Sequence, residues 1–334
     1  MPIIPPAFLA PLRRRFGGGG GSSEGLLGVE IRQDGLVCAH VRTPGDGPPV
    51  VEYCAFRKPE GGEPSEILAE MAREAGASKL PVTAVLGLGR YTIFPADTVE
   101  APRAEMAAAI RWRIKDRLEF PVEEAVVEVF DKPGGRPGEA AQQIYVAVAR
   151  EMEVRSCVNV ILGAGLNLVS IDAADLAMAN LSILSPDDAE GVALLYLERY
   201  QGLVQVTRKG TVYLARAMER GWENMVRGLQ GKADAGPDVL GRLSELDQIG
   251  LEIQRTLDYY ESHFFQSPVS SIHLAPTERA IPHLRRAVAD KMGMRVKDLP
   301  LREVLTFHAA VDDELLSRAM PAIGATLRGG EAKG

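Results

Sequence analysis

The segment LLGVEIRQDGLVCAHV, residues 26–41, decides the fold of this chain because two apolar runs in it flank a short polar turn. The turn contains an Asp-Gly pair, Asp34-Gly35, and such a pair between apolar runs is typical of a β-hairpin. Residues 192–215, VALLYLERYQGLVQVTRKGTVYLA, repeat the arrangement about half a chain later. Two such blocks, each followed by helical patterns, predict an internal duplication of an α/β unit.

The stretch between the two blocks predicts an inserted subdomain. A helix is expected to open at Pro102 and to end before Pro121. Its apolar face, at fourfold spacing, consists of Met106, Ile110, Ile114 and Leu118. The elements from about residue 90 to residue 171 follow the order strand, helix, strand, strand, helix, strand. This is the order of a ferredoxin-like subdomain.

The domain organisation predicted from these patterns is two lobes flanked by two tails. The first lobe covers residues 25–185 and carries the insertion at about 90–171, and the second lobe covers residues 186–328. Residues 1–24 combine prolines, three arginines at positions 13–15 and five consecutive glycines, a composition that predicts a flexible tail. Contact of this tail with an anionic membrane surface remains an alternative. Residues 329–334 are expected to be a frayed polar tail.

Composition excludes several classes of function. The net charge of -7 disfavours nucleic acid, because binding of the phosphate backbone requires a basic face. No apolar run reaches the ~20 residues that span a bilayer, so we expect a cytoplasmic protein. The three cysteines fit neither a disulfide framework nor a zinc ribbon. The histidines lack the i, i+4 spacing of a metal pair, so no metal site is predicted; they are His40, His263, His273, His283 and His308.

A P-loop is not supported either. The nearest glycine cluster, Gly87-Leu88-Gly89, lacks the lysine that follows the loop in P-loop proteins. The aromatic residues of the predicted helices, such as Trp112 and the Tyr259-Tyr260 pair, are expected to pack in cores. The residues considered up to this point predict no catalytic site.

Three segments resemble the PilM and MshI family of type IV pilus assembly proteins. They are residues 27–30 with the following turn, residues 109–125, and residues 257–267 before the run 272–274. The most specific of these is the motif RLEFP at residues 117–121. The likeness extends over about residues 25–310. It implies a duplicated actin-like α/β fold, of the kind found in actin, Hsp70, sugar kinases and FtsA, with an inserted ferredoxin-like subdomain.

The resemblance also implies a nucleotide site between glycine-rich hairpins, with Gly28, Glu30 and Glu198 as the candidate cofactor-binding residues. This sequence departs from the family pattern, since Arg32 and Gln33 place bulk where phosphate would approach the backbone. The second hairpin and the adenosine-side glycine pair, replaced by Pro276-Thr277, depart from it as well. We therefore predict a degenerate site without a cofactor. Binding of ATP with magnesium stays open, as do salt-bridge roles for the two glutamates.

The family grips the N-terminal tail of a single-span membrane protein, PilN, and this implies a partner site near the end of the predicted helix. The candidate partner-binding residues are Ile114, Leu118, Phe120, Glu123 and Glu124. A tail on the cytoplasmic side is expected to be basic, and residues 119–131 contain five acidic residues and no basic one. Ordinary core packing is the alternative for Ile114 and Leu118.

Together these features predict a non-catalytic scaffold, peripheral to the inner membrane, that binds a PilN-like tail in a type IV or MSHA-like pilus platform. Membrane contact would then be indirect, through the partner. Two alternatives remain: an ATP-binding actin-like protein whose lobe closure regulates assembly, and a component of a type II secretion platform. Assembly into a homo-oligomer is also left open.

Overall fold

A computed structural model gives the fold and describes residues 25–45, 47–103, 105–134, 143–231, 245–264 and 266–328. The two predicted tails, residues 1–24 and 329–334, lie outside the described residues. The sequence pattern predicts a long helix from about Asp238 to His263, and the start of this predicted helix also lies outside the described residues. No helix in these ranges is long and apolar enough to cross a membrane.

The chain divides into two compact units. Unit 1 contains the described residues up to Asn180, Leu305–Ala310 and those from Ala319 onward, while unit 2 contains Leu181–Val304 and Val311–Arg318. This division differs from the predicted second lobe at residues 186–328, because two segments near the C-terminus belong to unit 1. Periodicity identifies a helix or strand but does not say on which sheet a distant segment packs.

Unit 1 contains most of the first half of the chain. Its elements are β1 (Leu26–Ile31), β2 (Leu36–Arg42), β3 (Val50–Arg57), α1 (Pro64–Glu74), β4 (Pro81–Leu86), β5 (Tyr91–Asp97), α2 (Met106–Arg113), β6 (Ala125–Asp131), β7 (Gln143–Arg150), α3 (Glu151–Gly163), β8 (Asn167–Ala173) and most of α4 (Ala174–Ser182). Short 3-10 helices at Lys115–Arg117 and Val122–Glu124 lie between α2 and β6. Leu305–Ala310 and the described residues from Ala319 onward complete the unit.

Unit 2 repeats the strand pattern. Its elements are β9 (Val192–Leu197), β10 (Gly202–Arg208), β11 (Thr211–Met218), α5 (Trp222–Gly231), α6 (Glu245–Phe264), β12 (Ser271–Leu274), α7 (Leu284–Met292), β13 (Val296–Asp298) and α8 (Leu301–Val304). The chain then forms β14 (Thr306–Phe307), which belongs to unit 1, and α9 (Asp313–Thr326), which begins in unit 2 and ends in unit 1.

The two large sheets share one topology. In unit 1 the strand order is β14-β3-β2-β1-β4-β8, and in unit 2 it is β11-β10-β9-β12-β13. In each sheet the first three strands of the unit are antiparallel, and the remaining ones are parallel to the first. Without the short β14, the order β3-β2-β1-β4-β8 in unit 1 corresponds strand by strand to β11-β10-β9-β12-β13 in unit 2. The predicted duplication of an α/β unit is therefore confirmed.

The insertion is a three-stranded antiparallel sheet with the order β5-β7-β6. One face of it packs against α2 through a core that includes Phe94, Ile110 and Val146, and the other face joins the core of unit 1 through Tyr145 and Ala147. The predicted ferredoxin-like order needs correction in its last strand, because β8 pairs with β4 in the large sheet. The helix α3 packs on α1 and β8 and so carries the chain back to that sheet, as a parallel crossover requires.

Two helices are shorter than their apolar spacing predicts. The helix α2 ends at Arg113, and a 3-10 turn replaces the last turn that was expected to reach Leu118. The sequence also predicts a helix from Arg279 to Met292, but α7 begins at Leu284. Pro282 disfavours helical geometry in the residue before it, and His283 has a left-handed backbone with φ of 61°.

The edge strand β8 contains a β-bulge. Val82 pairs with Leu168 and Thr83 pairs with Ser170, so Val169 has no partner in β4 and its side chain is exposed. A bulge twists an edge strand and discourages further pairing along it. The Val169 bulge therefore protects this edge of the large sheet.

The end of α9 packs directly on β1. A Cβ atom added at Gly28 would overlap the carbonyl oxygen of Ala322, so the strand and helix backbones approach as closely as glycine allows. A second close approach joins Gly324 of α9 to the carbonyl of Ala177 in α4, and the Asn180 side-chain amide donates to the Gly324 carbonyl at 2.9 Å. The strand β14 adds to β3 at the edge of the same sheet, with the Thr306 N–H donating to the carbonyl of Pro49.

Tyr91, the first residue of β5, attaches the insertion to the start of α4. Its hydroxyl donates to Asp175 Oδ1 at 2.5 Å and accepts a hydrogen bond from the Asp175 backbone N–H at 2.9 Å. Burial raises the pKa of the Asp175 carboxyl to about 6, although the hydrogen bond from Tyr91 opposes the rise. The folded state therefore holds a proton on Asp175 at a pH where the unfolded chain has lost it.

We expect Gly28→Ala to lower the free energy of unfolding by about 1–3 kcal/mol, because the new methyl group must separate β1 from α9. Gly45→Ala is the matched control, since nothing lies within 4 Å of a Cβ at that position. Urea denaturation followed by circular dichroism measures both. Equal unfolding midpoints for the two variants would contradict the close contact.

A second prediction concerns pH. A raised folded pKa favours folding below the unfolded value of 3.8, and this contribution is lost as the pH rises through about 6. Asp175→Asn keeps an oxygen acceptor for Tyr91 and removes the titration. Its stability relative to wild type should rise by up to about 3 kcal/mol between pH 4 and pH 8. Melting curves at both pH values, with exposed Asp116→Asn as control, would refute this if the two variants behave alike.

Candidate functional site

The first hairpin contains Gly28 and Glu30, two of the three predicted cofactor-binding residues, and both contact other parts of unit 1. Gly28 faces α9, as described above. The Glu30 carboxylate is buried, and the Arg32 guanidinium lies 3.7 Å from its Oε2 while also donating to Asp34 Oδ1 at 3.2 Å. The Arg32 side chain is only 11% exposed, so it folds back over its own turn. The Arg32 side chain thus covers the turn between β1 and β2.

The second hairpin, in unit 2, places Glu198 at its turn. The Tyr196 hydroxyl donates to Glu198 Oε1 at 3.2 Å, and the Trp222 backbone N–H donates to the Glu198 carbonyl at 2.8 Å. The next N–H along α5, that of Glu223, donates to the carbonyl of Arg199. Helix N-termini bind phosphate through N–H groups left free in the first turn. Two of these groups are already used by the hairpin.

A cavity of about 820 Å³ lies in unit 2 at the carboxyl ends of β12 and β13. Its walls include Pro276 and Thr277, which stand where the resembled family has a glycine pair. A buried ion pair at 2.6 Å between Arg318 and Glu278 lies beside it. Ligands of open α/β sheets bind at carboxyl ends of parallel strands. The position of this cavity therefore suits a small-molecule ligand.

No group of three or more acidic, histidine or cysteine side chains suitable for a metal ion occurs among the described residues. Buried carboxylates do occur at the end of β8, where Asp172 accepts a hydrogen bond from the Ala173 N–H and lies 3.9 Å from the Arg328 guanidinium. Burial raises the pKa of Asp172, and Arg328 opposes the rise. These groups were not predicted; the only signal was a pair of aspartates directly after an apolar run.

The predicted partner-binding residues lie where α2 leads into β6. Ile114 is 2% exposed and belongs to the core between α2 and the small sheet, so the hypothesis that it lines a surface pocket needs correction. The residue directly follows α2, and its side chain continues the buried stripe of that helix. Leu118 and Phe120 are half-buried against the same core. The Arg150 guanidinium covers the Phe120 ring at 4.4 Å from its centroid.

The predicted acidic residues surround this segment. Glu119, Glu123 and Glu124 are exposed, and within the described part of the chain none of the three forms an ion pair. Asp131 pairs with Arg103 at 2.7 Å. Glu128 is half-buried, and burial raises the pKa of its carboxyl while a hydrogen bond from the Val129 backbone N–H opposes the rise. The three exposed carboxylates place negative charge near the start of β6, where the Arg111 guanidinium also lies.

The strand β6 is an edge strand, because β7 is the one strand that pairs with it in the described ranges. An edge strand presents unpaired backbone N–H and C=O groups on its outer side. A cavity of about 310 Å³ lies against the beginning of this edge. Its lining residues are Arg111, Glu123, Ala125, Val126, Val127 and Glu151. We call this feature, together with Glu119 and Glu124, the β6-edge groove.

Arg111 shapes the entrance to the β6-edge groove. Its guanidinium donates to the carbonyls of Val122 and Glu123, at 2.9 Å and 2.7 Å. These bonds fix the 3-10 turn before β6 and direct the Glu123 side chain to the lining of the cavity. Of the predicted partner-binding residues, Glu123 lines the cavity, and Phe120 and Glu124 are near it in the chain. Arg111 and Glu151 were not predicted, since only the pairing of β6 with β7 brings α3 beside them.

Comparison with known proteins rests on structure alone, because no family model and no curated protein matches the sequence. The solved structure described as "PilM-PilN type IV pilus biogenesis complex" is similar with a TM-score of 0.71 and 19% identity, covering 93% of this chain and 100% of that one. Two more distant matches have 10% and 12% identity. They are a Bacteroides thetaiotaomicron protein with an actin-like ATPase fold (TM-score 0.48; coverage 84% and 92%) and the cytoplasmic domain of EpsL from Vibrio cholerae, an inner-membrane component of type II secretion (0.44; 88% and 93%).

At these identities the similarity concerns the fold. The 0.71 match extends over nearly the whole of both chains and agrees with the repeated strand order of the two large sheets. The chain therefore has a duplicated α/β fold of the actin-like kind.

Proposed function

We propose that this protein is a non-catalytic scaffold that binds the extended, basic tail of a single-span membrane protein in the β6-edge groove. The observation that carries the proposal is the groove itself, in which an unpaired strand edge lies beside three exposed carboxylates without ion pairs in the described residues. Backbone groups of an edge strand bind an extended peptide by adding it to the sheet. The carboxylates select a basic peptide and steer its approach.

The 0.71 match supports a role in pilus assembly. That protein is described in complex with PilN. By analogy, the partner proposed here is a PilN-like protein, and the setting is the cytoplasmic face of the inner membrane in a type IV pilus platform. An MSHA-like pilus is one such setting, and a type II secretion platform is the alternative that shares the fold. Membrane association would be indirect, through the partner.

The hairpins support a degenerate nucleotide site, and hence the non-catalytic part of the proposal. Arg32 pairs with Glu30 in unit 1, and in unit 2 the first N–H groups of α5 bind the carbonyls of Glu198 and Arg199. Neither hairpin leaves a glycine backbone open for phosphate. The second candidate function, ATP-dependent regulation of assembly, is favoured by the 820 Å³ cavity in unit 2.

The partner proposal predicts that reversing both Glu123 and Glu124 to Lys slows association with a basic tail peptide. The reason is the loss of electrostatic steering, so the effect should be about tenfold at low salt and should shrink as salt screens the charges. Stopped-flow fluorescence with a labelled peptide measures the rate. The matched control is Glu60→Lys with Glu63→Lys, which changes net charge equally on an exposed segment of unit 1. Similar association rates for both double variants would contradict the assignment of the partner site to the β6-edge groove.

The nucleotide proposal predicts that ATP with magnesium produces little thermal stabilisation. A ligand present at 100 times its dissociation constant adds ~2.7 kcal/mol to the free energy of unfolding, which differential scanning fluorimetry detects easily. Saturable binding with a dissociation constant below ~10 μM, worth ~7 kcal/mol, would favour the ATP-regulated alternative. In that case Thr277→Glu, which adds a negative charge to the wall of the 820 Å³ cavity, should weaken the binding of ATP.

A further inference from the structure

The outer side of α2 presents an exposed tryptophan. Met106, Ile110 and Ile114 recur at fourfold spacing and are buried in the core between α2 and the small sheet. Because a helix turns by about 100° per residue, Trp112 lies on the side opposite these three residues. It is 59% exposed, and among the described residues from β5 to β7 it is the one exposed large apolar residue.

Four cationic side chains accompany Trp112. Arg111 and Arg113 precede and follow it in α2, and Lys115 and Arg117 lie in the 3-10 turn that continues the helix. None of the four forms an ion pair among the described residues. We call the outward surface formed by Trp112, Arg113, Lys115 and Arg117 the Trp112 face.

Backbone carbonyls hold the arginines in place. Arg111 donates to carbonyls on the β6 side of the helix, as described above. On the β5 side, Arg113 Nη1 donates to the carbonyl of Thr98 at 3.5 Å, and Arg117 Nη1 donates to that of Pro95 at 2.8 Å. A carbonyl accepts a hydrogen bond without neutralising the charge of the donor. Positive charge therefore remains on both sides of the tryptophan.

This positive charge is local, since the whole chain has a net charge of -7. Residues 106–118 contain four basic residues and a single acidic one, Asp116. The next acidic residues along the chain are Glu105 before this stretch and Glu119 after it, where the acidic segment of the β6-edge groove begins. The cations are thus concentrated around the one exposed indole ring of the small subdomain.

An indole ring among basic side chains is suited to an anionic membrane surface. Tryptophan combines an apolar body with a polar N–H group and is enriched at the level of the lipid headgroups. Each basic residue near an anionic lipid surface strengthens binding about fivefold. A specific protein interface needs an apolar core built from several large side chains, and the Trp112 face supplies one. The observations therefore favour a lipid surface over a folded protein as the partner of this face.

We propose that the Trp112 face contacts the anionic surface of a lipid bilayer directly, with the indole ring at headgroup level and the three cations against lipid phosphates. Such a contact is weak and reversible, because stable membrane anchoring takes more than one signal. The inference goes beyond the proposed function and does not depend on it. A direct lipid contact adds to the indirect association that a membrane-spanning partner provides.

Tryptophan fluorescence tests the contact at the residue that makes it. The chain contains two tryptophans, and the other one, Trp222, is buried. In a full-length Trp222→Phe variant all indole emission therefore comes from Trp112. Phosphatidylcholine vesicles containing one-quarter phosphatidylglycerol should shift this emission to shorter wavelength and protect it from acrylamide, whereas pure phosphatidylcholine vesicles should do neither. Unchanged emission and quenching on the anionic vesicles would overturn the proposal.

Vesicle sedimentation measures the affinity in an otherwise wild-type chain. Trp112→Ala should lower the partition coefficient about tenfold through lost apolar burial. Tyr200→Ala is the matched control, because it removes an aromatic residue that is 53% exposed on unit 2, and it should have no effect. Changing Arg113, Lys115 and Arg117 together to Gln should lower the partition coefficient about 100-fold. Added salt should weaken the binding of the wild type as well.

A charge-preserving variant separates the role of charge from damage to the fold. Arg113→Lys with Arg117→Lys keeps both charges but lacks the guanidinium groups that bind the two carbonyls. Its partition coefficient should stay within about threefold of the wild-type value. If this variant loses as much vesicle binding as the Gln variant, the electrostatic assignment is wrong. Thermal melting followed by circular dichroism shows whether each variant is folded.

Two further results would contradict the proposal and identify another contact. If changing the three arginines at positions 13–15 to Gln abolishes vesicle binding and the α2 variants do not, the N-terminal segment makes the contact. If a poly-glutamate peptide shifts the emission of Trp112 and anionic vesicles do not, the Trp112 face binds an acidic protein segment. Neither result bears on the partner site, because no residue of the Trp112 face lines the 310 Å³ cavity of the β6-edge groove.

Discussion

The first sheet depends on a backbone contact between β1 and the end of α9. Because Gly28 has no side chain, the carbonyl of Ala322 reaches the strand, and the helix covers the sheet at the shortest separation available. The same helix approaches α4 at Gly324 in the same way. A glycine in the first strand of an actin-like fold is easily interpreted as part of a phosphate site. In this chain its contact with α9 already accounts for it.

The contact between Gly28 and α9 affects whether the first hairpin can bind phosphate. A phosphate site needs small residues whose N–H groups face an open space. Here the first hairpin is closed by its own arginine, and the second is closed by the start of α5. An exposed strand edge and three exposed carboxylates coincide instead at β6. The proposed function uses this edge, within an actin-like architecture, to bind a peptide.

Much of the fold could be predicted from the sequence, because the hairpins and the duplication follow from local alternation and turn residues. The last strand of the insertion could not, since its pairing with β4 is a long-range choice that no local pattern records. Ile114 shows the same limit for the site: helical spacing identifies an apolar face but does not separate core from pocket. Glu123 became a candidate because acidic residues cluster around it in the sequence. Arg111 binds the backbone carbonyl of Glu123, and a contact to backbone leaves no pattern in the sequence.

The position of α9 has a consequence for how the protein is made. The strand β1 leaves the ribosome long before β14 and the end of α9, which complete the same unit. Contacts between such distant residues raise the contact order and slow folding. During translation the face of β1 around Gly28 is therefore without its covering helix until the end of α9 has also been synthesised, and apolar surface exposed in this interval favours aggregation.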